Sequence, residues 1–373
     1  MNASLNIRQS QALRGIAILG IILHNYCHFL KFAVKENEYT FTAEKPQQLL
    51  EKLLALDSDL FIHILSFFGH YGVPVFLFIS GYGLVKKYEA SEVRGSEGAR
   101  IFLWNHFKKL FRLMIWGYLL FVAVYFLRNS NGAEVYSWDR IVAQLTMTVN
   151  FLYERPDRII KPGPYWFFGL MMQLYALYIF VIHRWRNNWL LLVMVIGCWL
   201  IQVLMPTADA LNFVRYNFIG GVMPFVAGVW ISRKSLTPNP SPRGEERDVS
   251  IDSKQGMNVS TPISSWRGVG GEAFVAAIFV FAGSFWFHTW LWVPLFIVIE
   301  AVATVRLMPE WLLKPCAWVG SISAALFVMH PLMREIIIPH YRHTDIYYGI
   351  AVYLLASIAA AMLLQLLTNK TKK

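Results

Sequence analysis

Cysteine is nearly absent. The 373-residue chain has three, Cys27, Cys198 and Cys316, an odd and scattered set without the paired spacing of a zinc site or a disulfide framework. Structural-metal and thiol chemistry are set aside on that ground. Charge is scarce too: only 15% of residues are Asp, Glu, Lys or Arg, against about 25% in an ordinary soluble domain. What fills the chain instead is apolar, with 56% hydrophobic and 16% aromatic residues and a mean hydropathy of +0.43. A soluble core of this size has no room to hide so much apolar surface from water, so an integral membrane protein is expected. Acids are the scarcer sign, 23 against 34 Lys and Arg, for a net charge of +11. In a membrane protein that excess belongs to cytoplasmic loops, and no nucleic-acid partner is expected.

A helix crossing roughly 30 Å of hydrocarbon needs about 20 mainly apolar residues. Ten such runs occur, near residues 12–32, 66–85, 107–127, 166–183, 188–205, 213–232, 272–287, 289–305, 316–338 and 346–367. The expected fold is therefore an all-α bundle of about ten transmembrane helices forming a single domain over residues 1–373. The first run has no small-residue cleavage site behind it and reads as a retained helix. With the N-terminus inside, 22 of the 34 basic residues fall on the inner side, which favours cytoplasmic positions for both termini. Two outer loops are long, residues 33–65 and 128–165; within the second, the apolar piece Ile141–Tyr153 is too short to cross. Residues 235–271, rich in Ser, Gly and Pro, lack the apolar area that would repay ordering and read as a flexible polar cytoplasmic loop between helices six and seven.

An ionisable side chain deep in hydrocarbon is costly, so its presence is a functional hypothesis. Arg14, His24, His28 and His330 qualify. His24 lies 12 positions into its run and His330 14 positions into its own, both entered from the same side. At about 1.5 Å per residue those depths are roughly 18 and 21 Å, which predicts two imidazoles at similar height in the outer half. His24 and His28, four apart, also share one helical face. No carboxylate or cysteine set completes a metal site around them. Ten spans with buried His and Arg suit a transporter or flippase of a glycan precursor as well, although no convincing internal repeat is found; a non-catalytic membrane partner is a third reading.

Five segments carry a resemblance. LRGIAILGIILHNY (Leu13–Tyr26) is similar to the first-helix signature of the acyltransferase-3 superfamily of integral membrane acyltransferases, which includes O-antigen and Nod-factor acetylases. GHYGVPVFLFISGYGL (Gly69–Leu84) resembles its second-helix block, HFKKLFRL (His106–Leu113) the basic start of the third, GPYWFFGLMMQLY (Gly163–Tyr175) the Trp-containing fourth, and GSISAALFVMHP (Gly320–Pro331) the late helix with serine and histidine. One spacing departs from the pattern: nine residues separate Arg14 from His24 where the family commonly has ten. Ten steps leave the two side chains about 80° apart around a helix, where eleven would bring them within about 20°.

The resemblance implies transfer of an acyl group, usually acetyl, from acetyl-CoA or another acyl-CoA acting as a substrate, with no tightly bound cofactor. The implied acceptor is a hydroxyl of a carbohydrate or glycolipid, and the implied location is the inner (cytoplasmic) membrane of a bacterium. A protonated sugar hydroxyl is a poor nucleophile, and histidine is the natural base. His24 is the expected base and His330 a second polar partner or alternative base. Arg14 is expected to meet CoA phosphate or thioester charge, and Lys108, Lys109 and Arg112 to meet the polyanionic donor at the cytoplasmic mouth. Ser80 and Ser323 are candidate orienting hydroxyls, while Tyr165 and Trp166 offer an aromatic platform for a sugar.

Overall fold

The computed structural model describes residues 4–89, 98–129, 132–236 and 262–370. Within them the chain is helical, with no strand. In chain order the helices are α1 (Ile7–Cys27), α2 (Glu44–Leu54), α3 (Leu60–Phe68), α4 (Gly72–Tyr88), α5 (Ala99–Arg128), α6 (Gly132–Val135), α7 (Trp138–Leu145), α8 (Val149–Leu152) and α9 (Pro156–Ile159). There follow α10 (Trp166–Leu177), α11 (His183–Trp185), α12 (Asn188–Val203), α13 (Ala208–Arg215), α14 (Phe218–Leu236), α15 (Pro262–Gly283), α16 (Phe287–Trp290), α17 (Val293–Leu307), α18 (Glu310–Ser321), α19 (Ser323–Tyr341) and α20 (Ile346–Lys370). A single turn, Gly69–Tyr71, joins α3 to α4. α1 starts at a reciprocal cap: Asn6 Oδ1 accepts from Gln9 N at 2.8 Å and Gln9 Oε1 from Asn6 N at 3.1 Å, which satisfies donors the helix itself leaves open.

Four of these segments are long and apolar enough to cross a membrane: Leu60–Tyr88, Ala99–Arg128, Gly163–Trp185 and Ile346–Thr368. The number rises to six if the bent pairs α13 with α14 (43°) and α18 with α19 (72°) each count as one span. The ten apolar runs of the sequence fall largely on helices, but not all of those helices meet the criterion. α12 and α17 have only 16 and 15 residues, and α1 is diluted by Gln11, Arg14, His24 and Asn25. Lipid suits the outside of the bundle: α5 exposes Trp104, Trp116, Leu119, Leu120 and Leu127, and α20 exposes Leu355, Leu363, Leu366 and Leu367. Of the polar stretch 235–271, both ends are helical, since α14 runs through Leu236 and α15 begins at Pro262. Residues 237–261, where a flexible loop is expected, lie outside the described residues.

α1 is the axis. It packs against α3, α4, α18 and α19, and it does so at backbone distance. A Cβ on Gly15 would run into the Cys316 carbonyl, and one on Gly320 into the Gln11 carbonyl, so α1 and α18 each present a glycine to the other. α4 and α14 repeat the device: Gly81 faces the Phe225 carbonyl and Gly228 the Phe78 carbonyl. Close approach of this kind lets van der Waals packing hold helices together where lipid offers no hydrophobic drive.

Replacing Gly320 by Leu should separate α1 from α18 and destabilise the protein by about 1–3 kcal/mol or more. Thermal unfolding in detergent measures it; an unchanged midpoint would show that the α1–α18 contact is not tight.

Candidate active site

At the end of the bundle where α1 finishes, three histidines meet. His24 is on the last turn of α1 and His28 caps it, with ring centroids 4.8 Å apart. The third, His70, sits in the turn between α3 and α4, its ring 5.0 Å from His24. That turn lies so near because residue 69 is glycine: a Cβ there would stand 2.6 Å from both the His24 Cβ and the Gly20 carbonyl oxygen. The Nδ1 atoms of His24, His28 and His70 are all buried without a hydrogen-bond partner.

A carboxylate stands behind them. Glu36, 8% exposed, comes from the loop that follows α1. Its Oε2 is 2.7 Å from His70 Nε2, at ion-pair distance but out of line for a hydrogen bond. Its Oε1 accepts from Trp290 Nε1 at 2.9 Å and from the Tyr71 hydroxyl at 3.3 Å. Two residues on, Glu38 accepts from the Tyr39 hydroxyl at 2.5 Å. Arg215 ties this wall together: its Nε donates to the Glu38 carbonyl, its Nη1 to Gln202 Oε1 at 2.8 Å, and its guanidinium lies 4.3 Å from the centre of the Trp290 ring. Burial pushes the Glu38 carboxyl above the usual carboxylate range, with Glu36 adding to the push, against smaller downward pulls from His70, the Tyr39 hydroxyl and Arg215.

His24, His28, His70, Glu36, Glu38 and Tyr39 line a partly enclosed cavity of about 400 Å³. Asn25, Asp157, Arg158, Lys161, Trp166, Tyr216 and Arg334 complete its polar and aromatic wall. Arg334 Nη1 donates to Asn25 Oδ1 at 2.7 Å, linking α19 to α1. Among the described residues, no group of three or more His, Cys, Asp or Glu side chains is arranged to hold a metal ion.

Of the residues singled out in the sequence, His24, His28 and Trp166 line this cavity and the others do not. His330 is fully buried in α19, with Nδ1 at 3.1 Å from the Leu326 carbonyl and Nε2 unpartnered. Counting its depth along one straight helix does not hold, because the chain bends by 72° between α18 and α19, before His330 is reached. Tyr165 spends its hydroxyl on the Val328 carbonyl at 3.0 Å, pinning α10 to α19. Ser80 bonds the Phe76 carbonyl of its own helix at 2.8 Å, and Ser323 is buried at the start of α19. Arg14 is an exposed residue of α1 within electrostatic reach of Tyr175. On α5, Lys108 lies 5.7 Å from the centre of the Trp104 ring, and Lys109 and Arg112 are exposed.

The cavity also contains residues that the sequence did not single out. His70 carried a signal, being a histidine inside the quoted apolar block Gly69–Leu84, and so did Arg334, one helical turn after His330. Glu36, Lys161 and Arg158 carried none, since charged residues in a polar loop are ordinary.

An all-helical chain with apolar outer faces and a chamber of imidazoles and carboxylates defines a multi-pass membrane protein with acid and base groups at one end. The family model described as an acyltransferase domain matches residues 7–368, essentially the whole chain, so the protein belongs to the acyltransferase-3 family and is a transferase of acyl groups. No curated protein and no solved structure matches it.

The raised Glu38 carboxyl sets a pH dependence. The folded state holds that proton more tightly than the unfolded chain, so ionisation opposes folding and stability falls as pH rises from the ordinary carboxylate range through the folded value. Glu38→Gln should flatten that fall; melting curves across acid to neutral pH that stay parallel for variant and parent would contradict it.

Proposed function

We propose that the protein is a membrane O-acyltransferase that moves an acyl group, acetyl in the commonest case, from cytoplasmic acyl-CoA to a hydroxyl of a surface or exported carbohydrate, with His24 as general base. The observation that carries this reading is the place of His24 on a polar cavity beside His28, His70 and Glu36, in a chain of the acyltransferase-3 family.

The chemistry follows from the groups present. A neutral imidazole keeps a proton on one ring nitrogen and a lone pair on the other. That lone pair takes the hydroxyl proton as the sugar oxygen attacks the thioester carbonyl. The tetrahedral intermediate then expels the CoA thiolate, the carbon–sulfur bond breaks, and the proton held by the imidazole goes to the thiolate. Glu36, beside His70, supplies negative charge near the transient imidazolium. Tightly held Glu36 needs no reorganisation to do so.

Donor and acceptor approach from opposite ends in this reading. Arg14 precedes His24 by ten residues, about 15 Å along the helix axis, and with Lys108, Lys109 and Arg112 it would meet the CoA phosphates from the cytoplasmic side of a bacterial inner membrane. Trp166, on the cavity wall, offers a stacking face for the sugar.

His24→Ala should lower acyl transfer by about 10²–10⁴-fold while leaving the melting temperature within a degree or two of the parent; retained turnover would exclude His24 as the base. In sealed vesicles of known orientation, labelled acetyl-CoA should mark glycan only when supplied on the cytoplasmic face. Label that appears only with donor on the outer face would refute the direction of transfer.

A further inference from the structure

The cavity that holds the histidines also carries three cations. Arg158 in α9, Lys161 in the segment that follows it and Arg334 in α19 all line the same space. Two stretches of chain bring them there, one carrying Arg158 and Lys161 and the other Arg334. Ion pairs elsewhere in the molecule are formed within 4 Å, such as Arg233 with Glu89 at 2.8 Å, but among the described residues none of these three has a carboxylate that close. Arg334 is held by an amide oxygen, that of Asn25, and lies 5.3 Å from the centre of the Phe29 ring. A guanidinium has five donors, and one bond to a neutral amide leaves most of its capacity unused.

The acids nearby offset this wall only in part, two carboxylates (Asp157 and Glu335) against three cations. Glu36 is engaged by His70, Trp290 and Tyr71, and Glu38 by Tyr39. Asp157 is within electrostatic reach of Lys161 and Arg334, as is Glu335, but Asp157 is also coupled to the Tyr216 hydroxyl. Lys161 is pushed below the usual lysine range by burial and then by Arg334. Two cations near each other in a partly buried wall repel, and the arrangement is stable in use when an anion sits between them.

The geometry points to an anion subsite: Arg158, Lys161 and Arg334 bind an acidic group of the acceptor, a sugar carboxylate or a phosphate ester, and thereby set a neighbouring hydroxyl against His24. This assignment rests on the acyl-transfer reading of the same cavity and adds to it that the acceptor is an anionic carbohydrate. A planar guanidinium suits either oxyanion as a two-pronged donor, so carboxylate and phosphate are separated by experiment.

The test reads binding, which needs no turnover. The full-length protein in lipid nanodiscs is titrated with a glucuronate oligosaccharide, a glucose oligosaccharide of equal length, glucose 1-phosphate and coenzyme A. The acidic sugar or the sugar phosphate should bind more tightly than the neutral oligosaccharide, and added salt should weaken it. Arg334→Gln and Lys161→Gln should each lower that affinity on the order of tenfold without changing the neutral sugar's, while Arg334→Lys and Lys161→Arg recover part of it. Arg158→Gln and Lys161→Gln, away from the helix packing, carry the test if Arg334→Gln does not fold. Equal binding of acidic and neutral sugars, unchanged affinity in folded variants, or a loss confined to coenzyme A would each overturn the subsite. Acidic-sugar binding that depends on these residues, without acyl transfer to any acceptor, would uphold the subsite and sink the acyl-transfer reading. Transfer to a neutral sugar without any acidic-sugar binding would do the reverse.

Discussion

Glu36 is a carboxylate buried in the cavity wall, a position that costs several kcal/mol unless charge and hydrogen bonds compensate it. Compensation comes from parts of the chain that are otherwise far apart. His70 and Tyr71 belong to the turn between α3 and α4, and Trp290 ends α16, 254 residues away in sequence. Meeting Glu36 holds the loop after α1 down over the cavity and sets His70 against His24. Arg215 extends the same tie, since its guanidinium covers the Trp290 ring while its Nε holds the Glu38 carbonyl. Removing one partner of such a set leaves a buried polar group unsatisfied, so its members depend on one another.

The helices that carry this end of the molecule are positioned by an opposite kind of force. Gly15 with Gly320, and Gly81 with Gly228, bring pairs of backbones into contact, and the pairs involve no charge at all. Close packing near the middle of the bundle and buried polar ties at its end divide the work between rigidity and chemistry. Gly69 joins the two, because its missing Cβ is what admits the His70 turn against α1. An imidazole that acts as a base benefits from such a frame: its orientation is set before substrate arrives, and little reorganisation accompanies proton transfer.

Much of the fold was legible locally. The apolar runs lie mostly on helix, because burying or lipid-exposing twenty apolar residues while satisfying their backbone leaves few alternatives to a helix. Where runs and spans part company, the reasons are particular: α12 and α17 are short, α1 is interrupted by polar side chains, and α18 and α19 are a bent pair rather than one rod. His330 lies off the cavity that holds His24, although Phe327 and Arg334 of the same helix line it. Tyr165 and Ser80 were legible as polar groups in apolar segments, yet their hydroxyls close on backbone carbonyls, a use that residue type does not distinguish from substrate binding.

The amino-acid sequence alone determined that the protein belongs in a membrane, that it is helical, and that His24 is an ionisable group deep in an apolar segment. Those are properties of composition and short-range pattern, and they follow from the cost of exposing apolar surface to water or charge to hydrocarbon. Only the tertiary structure decided that His24 meets His70 and Glu36, and that Arg158, Lys161 and Arg334 share one wall. Contacts between residues tens to hundreds of positions apart depend on how the helices bend and cross. No local pattern of residue types records that geometry.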